Sequence, residues 1–133
     1  MIIDSSAIIA IMQDEPGSAE VLRQLLMGDG VRVGAPTLAE TGVVLLARRG
    51  VQGRGHLSRF VQRFSVETVP FTAQHAEVAE DAYYRFGKGR HRAKLNMGDC
   101  FTYATAYIAR EPLLFVGDDF VHTDLDLVKL SGN

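Results

Sequence analysis

Acidic residues stand at the points where the chain leaves a strand or enters a helix. They are Asp4, Glu40, Asp99 and the adjacent pair Asp118 and Asp119. Carboxylates brought together at one place raise one another's pKa values unless a cation compensates them. Hard oxygen ligands with little histidine or cysteine nearby suit Mg²⁺ or Mn²⁺ rather than Zn²⁺. Because such an ion activates water and stabilises charge on a phosphodiester, the pattern predicts nuclease chemistry if the fold gathers these acids.

Each acid also has a structural explanation when it is taken alone. Asp99 lies in the first turn of a helix capped by Asn96, where the helix dipole favours a negative charge. Glu40 closes the sequence Thr37-Leu38-Ala39-Glu40, which matches a capping box in which the glutamate bonds back to the backbone of Thr37. The first acid can cap the helix that follows it, and the last pair can form a solvated turn. Only the joint arrangement favours a site.

The elements that must position these acids alternate between strand and helix. Short apolar or β-branched runs predict strands at residues 1–3, 31–35, 67–70 and 113–116. Caps and apolar spacings predict helices at residues 7–12, 19–27, 37–49, 53–64, 73–86 and 97–108. The alternation predicts an α/β fold in which helices cover both faces of a parallel sheet. Since ligand sites in such sheets lie beyond the carboxyl ends of the strands, this fold would bring the acids together.

Two of these elements carry more specific expectations. The helix at 97–108 is apolar on most sides, so we expect it to be buried. The run at 113–116 is wholly apolar, which is typical of a strand in the middle of a parallel sheet. The helix at 73–86 is predicted to bury a stripe formed by Ala76, Ala79, Tyr83 and Phe86.

Length and composition narrow the class of protein. The 133 residues fit a single domain, 1–133, with a full hydrophobic core, and the net charge of −2 is not that of a strongly basic nucleic-acid-binding protein. No stretch reaches the length of about 20 apolar residues that crosses a bilayer. The single Cys100 excludes an intramolecular disulfide and is expected to be a small buried filler. We therefore expect a cytoplasmic protein. The four histidines lack ligand spacing and are given no role.

A basic loop leads directly into the helix that bears Asp99. Its cationic side chains are Lys88, Arg90, Arg92 and Lys94. Such a loop supplies a local positive surface for the phosphates of a substrate, although a charge run of this size is also compatible with a merely solvated loop. We predict that these four residues bind substrate.

The ordered motifs resemble those of a known family. The segments that carry the resemblance are Met1-Ile2-Ile3-Asp4-Ser5-Ser6-Ala7, Glu40 in the third helix, Gly87-Lys88-Gly89-Arg90-His91, Leu95-Asn96-Met97-Gly98-Asp99-Cys100, Pro112-Leu113-Leu114-Phe115 and Gly117-Asp118-Asp119-Phe120. Together they resemble the PIN-domain toxins of the VapC type, over nearly the whole chain and in the same order. The resemblance implies an α/β/α sandwich and a Mg²⁺- or Mn²⁺-dependent ribonuclease that cleaves structured cellular RNA and arrests growth. It also implies a small VapB-like antitoxin as partner and a homodimer.

The same resemblance implies roles for individual residues. Asp4 and Asp99 correspond to the direct metal ligands, and Glu40 completes the acidic set together with one acid of the final motif. Asp119 matches the aspartate that precedes phenylalanine in the family's motif, but Asp118 is also acidic, and the sequence does not choose between them. Ser6 resembles a family hydroxyl that orients the ligands, and we group it with the substrate-binding residues.

Other acidic-pocket proteins fit less well. A phosphatase that forms an aspartyl-phosphate needs a second aspartate two residues after the first, where this chain has Ser6. A phospho-receiver domain needs a lysine just after a late strand, where this chain has Gly117 and acids. The alternative from another class is a non-catalytic PIN-like module that binds RNA or protein, which a nuclease assay with and without chelator would distinguish.

Overall fold

A computed structural model describes residues 1–130 of the chain, and its elements alternate between strand and helix. In chain order they are β1 (Ile2–Ile3), α1 (Ser5–Met12), α2 (Ser18–Met27), β2 (Arg32–Gly34), α3 (Ala35–Arg63), β3 (Glu67–Val69), α4 (Ala73–Phe86), α5 (Met97–Ala109) and β4 (Leu113–Leu114). No helix among the described residues is long and apolar enough to cross a membrane.

The four strands form one parallel sheet in the order β3-β2-β1-β4. Because successive side chains of a strand point to opposite faces, even two-residue strands supply both cores. Ile2 and Leu113 pack with α4 and α5 on one face, whereas Ile3 and Leu114 pack with α1, α2 and α3 on the other. The predicted α/β/α sandwich with a parallel sheet is therefore confirmed.

Helix α5 is buried as its composition predicts. Asn96 is its N-cap, and every residue from Cys100 to Ala106 except the partly exposed Phe101 is buried. Cys100 is a free, buried thiol, and burial raises the pKa of that thiol to about 11. A thiol in this state is a poor nucleophile, which confirms its prediction as a filler.

The end of the sheet differs from the prediction. Strand β4 stops at Leu114 instead of residue 116, and it lies at the edge of the four named strands rather than in the middle. Leu113 is nevertheless fully buried, because its backbone N–H donates to Asp126 and its carbonyl accepts from Val128 in a segment that runs alongside. The apolar run at 113–116 thus predicted the burial of this strand correctly but not its position in the sheet.

The segment after β2 differs in a second way. Strand β2 ends at Gly34, and helix α3 begins at once with Pro36 in its first turn, so the predicted strand residue Ala35 is helical. The two helices predicted at 37–49 and 53–64 are the two arms of α3, which meet at Gly50. This glycine has φ 65° and ψ −153°, a backbone conformation that only glycine adopts readily, and it breaks the helix within one residue.

The predicted stripe of α4 is half correct. Ala79 and Phe86 are buried, but Ala76 and Tyr83 are exposed, and His75 and Ala82 take their places. His75 is buried because its Nδ1 accepts from the backbone of Thr72 and completes a capping box at the start of the helix. A histidine without ligand spacing therefore has a structural role.

Candidate active site

Asp4 is the most enclosed of the predicted acids. It follows β1 as the N-cap of α1 and is only 6% exposed. Its Oδ2 accepts from the backbone N–H of Ser6 at 3.1 Å and from the Ser6 hydroxyl at 2.7 Å. The same hydroxyl accepts from the backbone N–H of Val116 at 3.0 Å, just past β4. Ser6 thus links Asp4 to the end of the neighbouring strand, and its hydroxyl is used within the protein.

The second oxygen of Asp4 is held by residues that the sequence analysis did not single out. Thr102 donates from its hydroxyl to Asp4 Oδ1 at 2.8 Å, and the Thr37 hydroxyl lies 3.0 Å from that of Thr102. Because Thr102 gives its proton to the carboxylate, Thr37 must donate to Thr102. Both threonines are buried, at 2% and 3% exposure. The signal in the sequence was a hydroxyl inside an apolar helix, since a buried hydroxyl needs a partner.

Glu40 is not in the capping box that its spacing suggested. The helix begins at Ala35, two residues before Thr37, and its N-cap Gly34 has no side-chain hydrogen bond. The Glu40 carboxylate lies instead against α5, where a Cβ on Gly98 would be 2.5 Å from Oε2 and 3.1 Å from Oε1. Partial burial, followed by the charge of Asp4, raises the pKa of Glu40. The structural explanation is therefore wrong, and the side chain faces the other acids.

Asp99 occupies the third position of α5, as predicted. It forms a capping box with Asn96, whereas the capping box that the sequence suggested for Glu40 and Thr37 does not form. Its Oδ2 accepts from the backbone N–H of Asn96 at 3.1 Å, while its own N–H donates to the Asn96 side chain at 2.8 Å. Burial raises the pKa of Asp99 to about 6, and the charges of Asp119, Asp4 and Glu40 add to that rise against the Asn96 hydrogen bond. The Asp99 carboxylate therefore interacts electrostatically with Asp119, Asp4 and Glu40.

The two acids of the last motif have different surroundings. Burial, then the charge of Asp4 and then that of Asp118, raises the pKa of Asp119. Asp118 instead lines a cavity of about 550 Å³ with Pro16, Gly17 and Leu130, away from the acid cluster. The structure thus brings together Asp4, Glu40, Asp99 and Asp119, which we call the acid cluster, and directs Asp118 to another surface.

The chemistry of the acid cluster fits a hard divalent ion. Its donors are all carboxylate oxygens, and every charge that shifts their pKa values is negative. Within residues 1–130 no three histidine, cysteine or acidic side chains converge tightly enough to enclose an ion. Since Mg²⁺ is commonly held by one or two carboxylates and keeps several waters, a pair such as Asp4 and Asp99 is a sufficient protein contribution.

The predicted basic loop, residues 88–94, is closed upon itself next to Asp99. A bridge between Gly87 and Leu95 joins its two ends, and the N–H of Lys88 donates to the Leu95 carbonyl at 2.9 Å. Inside the loop, His91 Nδ1 accepts from the backbone of Ala93 at 3.0 Å. The four cationic side chains are exposed, and none of them forms an ion pair with the rest of the described chain. Their charges are therefore available to a ligand.

The chain is similar in sequence to proteins of a known family. The PIN domain family matches residues 1–125. Ribonuclease VapC36 of Mycobacterium tuberculosis is 46% identical over 127 residues, 95% of this chain and 91% of that protein. Ribonuclease VapC of Mycolicibacterium smegmatis is 45% identical over 129 residues, 96% of this chain and 99% of that protein.

Solved structures share the fold at lower identity. The crystal structure of Mycobacterium tuberculosis VapC20, described as a sarcin-ricin loop cleaving toxin, superposes with a TM-score of 0.77 at 16% identity and covers 96% of this chain and 98% of its own. VapBC2 from Rickettsia felis, bound to a DNA fragment from its promoter, gives a TM-score of 0.76 at 13% identity over 96% of each chain. Since the family match spans most of the residues and the relatives align end to end, the chain belongs to the PIN-domain family, among the VapC ribonucleases.

Proposed function

We propose that this chain, as a single PIN domain, is the toxin of a toxin–antitoxin pair and hydrolyses phosphodiester bonds of cellular RNA with the help of Mg²⁺, or alternatively Mn²⁺. The observation that carries the proposal is the acid cluster, in which burial and mutual repulsion raise three carboxyl pKa values and no positively charged side chain contributes to these shifts. Like charges held together in this way destabilise the protein when no ligand is bound. A cationic ligand would offset this repulsion and therefore accounts for the arrangement.

Asp4 and Asp99 would hold the ion, and Glu40 and Asp119 would complete the negative site. A bound ion would lower the pKa of its water and stabilise the charge that develops on the phosphate. Ser6 and Thr102 fix both oxygens of Asp4 by hydrogen bonds, so this carboxylate needs no rearrangement when the ion arrives. We assign Ser6 this positioning role, because its hydroxyl is already shared between Asp4 and Val116.

Substrate binding is assigned to the basic loop. Lys88, Arg90, Arg92 and Lys94 would meet phosphates that flank the scissile bond, because only Leu95 separates the loop from the N-cap of α5. The substrate class is RNA with folded structure, as in the description of VapC20 as a sarcin-ricin loop cleaving toxin. A cytoplasmic location would place the enzyme with this substrate.

A protein partner is also part of the proposal. The Rickettsia felis structure is of a VapBC pair, which supports a VapB-like antitoxin for this chain. Exposed apolar side chains on α3 support a protein interface, because single-chain surfaces rarely expose several such groups together. They are Val43 at 66%, Leu46 at 43% and Val51 at 81% exposure. We propose that the toxin forms a homodimer as well as this hetero-oligomer.

The proposal is tested by Asp4→Asn and Asp99→Asn in a cleavage assay on bulk cellular RNA. Because changes in residues that merely support metal ligands already cost about 10- to 100-fold, we expect losses of at least about 100-fold. Excess chelator should abolish the parent's activity, and added Mn²⁺ should raise the melting temperature of the parent but not of either variant.

Asp29→Asn is the matched control. This exposed aspartate lies in the turn before β2, at the amino ends of the parallel strands, so the same change there should leave cleavage and the Mn²⁺ response unaltered. Retained cleavage in Asp4→Asn or Asp99→Asn would reject the metal assignment. An inactive parent that binds RNA would favour the non-catalytic module.

A further inference from the structure

Two neighbouring tyrosines near the end of α4 are exposed beside the basic loop. Tyr83 is 44% and Tyr84 is 70% exposed, although aromatic rings of this size are usually covered. Tyr83 is partly fixed, because its hydroxyl donates to the Lys88 carbonyl at 3.4 Å. Tyr84 is the more exposed of the two, so more of its ring is accessible to a ligand.

Arg90 lies over both rings. Its guanidinium carbon is 5.8 Å from the centre of the Tyr83 ring and 5.5 Å from that of Tyr84, distances at which a cation is attracted to an aromatic face. The contact holds the planar guanidinium of Arg90 next to a planar ring at the edge of the basic loop. Such a combination of aromatic ring, guanidinium plane and positive charge is the chemistry that binds unstacked bases of single-stranded RNA.

The pair lies within reach of the acid cluster. The backbone N–H of Leu95 donates to the Phe86 carbonyl at 3.0 Å, so the end of α4 lies beside the residue that precedes the N-cap of α5. Tyr84 is two residues from Phe86 along α4, and Asp99 is four residues from Leu95 along the chain. A few nucleotides of one RNA strand can span this separation together with the spacing between the helices.

We propose that Tyr84 and Arg90 form a stacking site for an unpaired nucleobase of the RNA substrate. The site would hold a base a few nucleotides from the scissile phosphate, while the cations of the loop hold the phosphates between. This inference rests on the proposed function, and it narrows the substrate to RNA that offers an unpaired base near the cleavage position.

The test measures binding of a short fluorescein-labelled polypyrimidine RNA, single-stranded or annealed to its complement, by full-length protein in excess chelator so that no cleavage occurs. Stacking on an aromatic ring contributes enough affinity that Tyr84→Leu should weaken single-strand binding by about tenfold. Duplex binding should not change. Tyr84→Phe, which keeps the ring, should restore the parent affinity.

Salt dependence separates stacking from charge. Tyr84→Leu removes no phosphate contact, so the slope of log affinity against log salt should stay as in the parent. The double change Arg92→Ala with Lys94→Ala, which leaves the stacking site intact, should flatten that slope by roughly 1.4 if both side chains contact phosphate, because each neutralised phosphate contributes about 0.7 on a single strand.

Tyr107→Leu is the matched control. Tyr107 is also exposed, at 49%, but it stacks on Tyr103, and no cation of residues 1–130 lies over its ring, so this variant should bind both RNAs as the parent does. Parent-like binding by Tyr84→Leu, or an equal loss in Tyr107→Leu, would reject the stacking site but not the proposed function. The exposed tyrosines would then be better explained as part of a surface that contacts a protein partner. A parent that binds neither RNA would reject the proposed function as well.

Discussion

The two carboxyls of the turn after β4, Asp118 and Asp119, show how far neighbouring residues can differ in function. The charge of Asp119 raises the pKa of Asp99, and burial together with the charge of Asp4 raises the pKa of Asp119. Asp118 contributes to the pKa of Asp119 but to that of neither Glu40 nor Asp99, and it borders a separate cavity. The fourth acid of the site should therefore be Asp119.

We expect Asp119→Asn to lower RNA cleavage by about tenfold or more, in the range of changes next to a metal ligand, whereas Asp118→Asn should stay within about twofold of the parent. Both variants keep the shape of the side chain, so each serves as the other's control. Initial rates in Mg²⁺ at equal protein concentration provide the measurement. Small and equal losses would show that the site consists of three acids and that this motif is only a turn.

At the same scale, the sequence identifies the charged residues of the site but not their supports. Carboxylates at strand ends are recognisable, because few structural reasons place so many of them there. Thr37 and Thr102 are 65 residues apart, and their contact depends on how α3 packs against α5. A hydroxyl in an apolar helix signals that some partner exists, but only the packing shows that the partner is Asp4.

At the scale of elements, the first turn of α5 organises the site. It supplies Asp99, and its Gly98 leaves the space that the Glu40 carboxylate fills. The capping-box pattern misassigned Glu40 because the N-cap of α3 is Gly34, three residues before Thr37, and Pro36 lies in the first turn of the helix. Helix boundaries depend on the end of the preceding strand, and local sequence predicts them less well than it predicts the helix itself.

Gly98→Ala separates the needs of the helix from those of the site. Alanine favours a helix over glycine by about 1 kcal/mol, so the melting temperature should stay equal or rise. The new Cβ would meet Glu40 Oε2 at 2.5 Å, and the flexible glutamate would have to move away. We expect RNA cleavage to fall by about tenfold, comparable with the loss of a supporting group at a metal site.

Gly55→Ala provides the comparison for that variant, because a Cβ there would meet only the end of the Arg59 side chain at 3.6 Å. It should show the helical stabilisation without the loss of cleavage. Full activity in Gly98→Ala would mean that Glu40 does not act from its position against α5.

At the scale of the whole molecule, a net charge of −2 conceals a separation of charge. The acid cluster lies at the carboxyl ends of the strands, whereas residues 41–66 contain five arginines and no acidic residue. Composition therefore gives no sign of an anionic substrate, although local charge does. The alternation of strands and helices predicts the sandwich but not the strand order, which puts β4 at the edge of the four named strands. The outer side of β4 pairs with residues 126–128, which carry no strand pattern of their own.

The acid cluster should also make the stability of the metal-free protein depend on pH. The pKa of Asp99 is about 6 in the folded chain against an ordinary value of 3.8, so the folded state binds more protons than the unfolded state between these values. Stability should therefore fall as pH rises through this window, and the raised pKa values of Glu40 and Asp119 act in the same direction. Glu111 and Asp124 have lowered pKa values, so their contribution is lost only at lower pH.

We expect Asp99→Asn to melt higher than the parent at about pH 7 in excess chelator, and to lose most of this advantage at about pH 4.5, where the parent's carboxyl is protonated in the folded state. Asp99 is partly exposed, so solvent screening reduces the gain to about 1 kcal/mol, or about 4 °C for a chain of this size. Thermal unfolding of both proteins across this range provides the measurement, and Asp29→Asn should follow the parent. If Asp99→Asn melted with the parent at every pH, repulsion at Asp99 would not weaken the metal-free fold.

Because a bound cation would relieve the same repulsion, Mn²⁺ should raise the parent's melting temperature more at about pH 7 than at about pH 4.5.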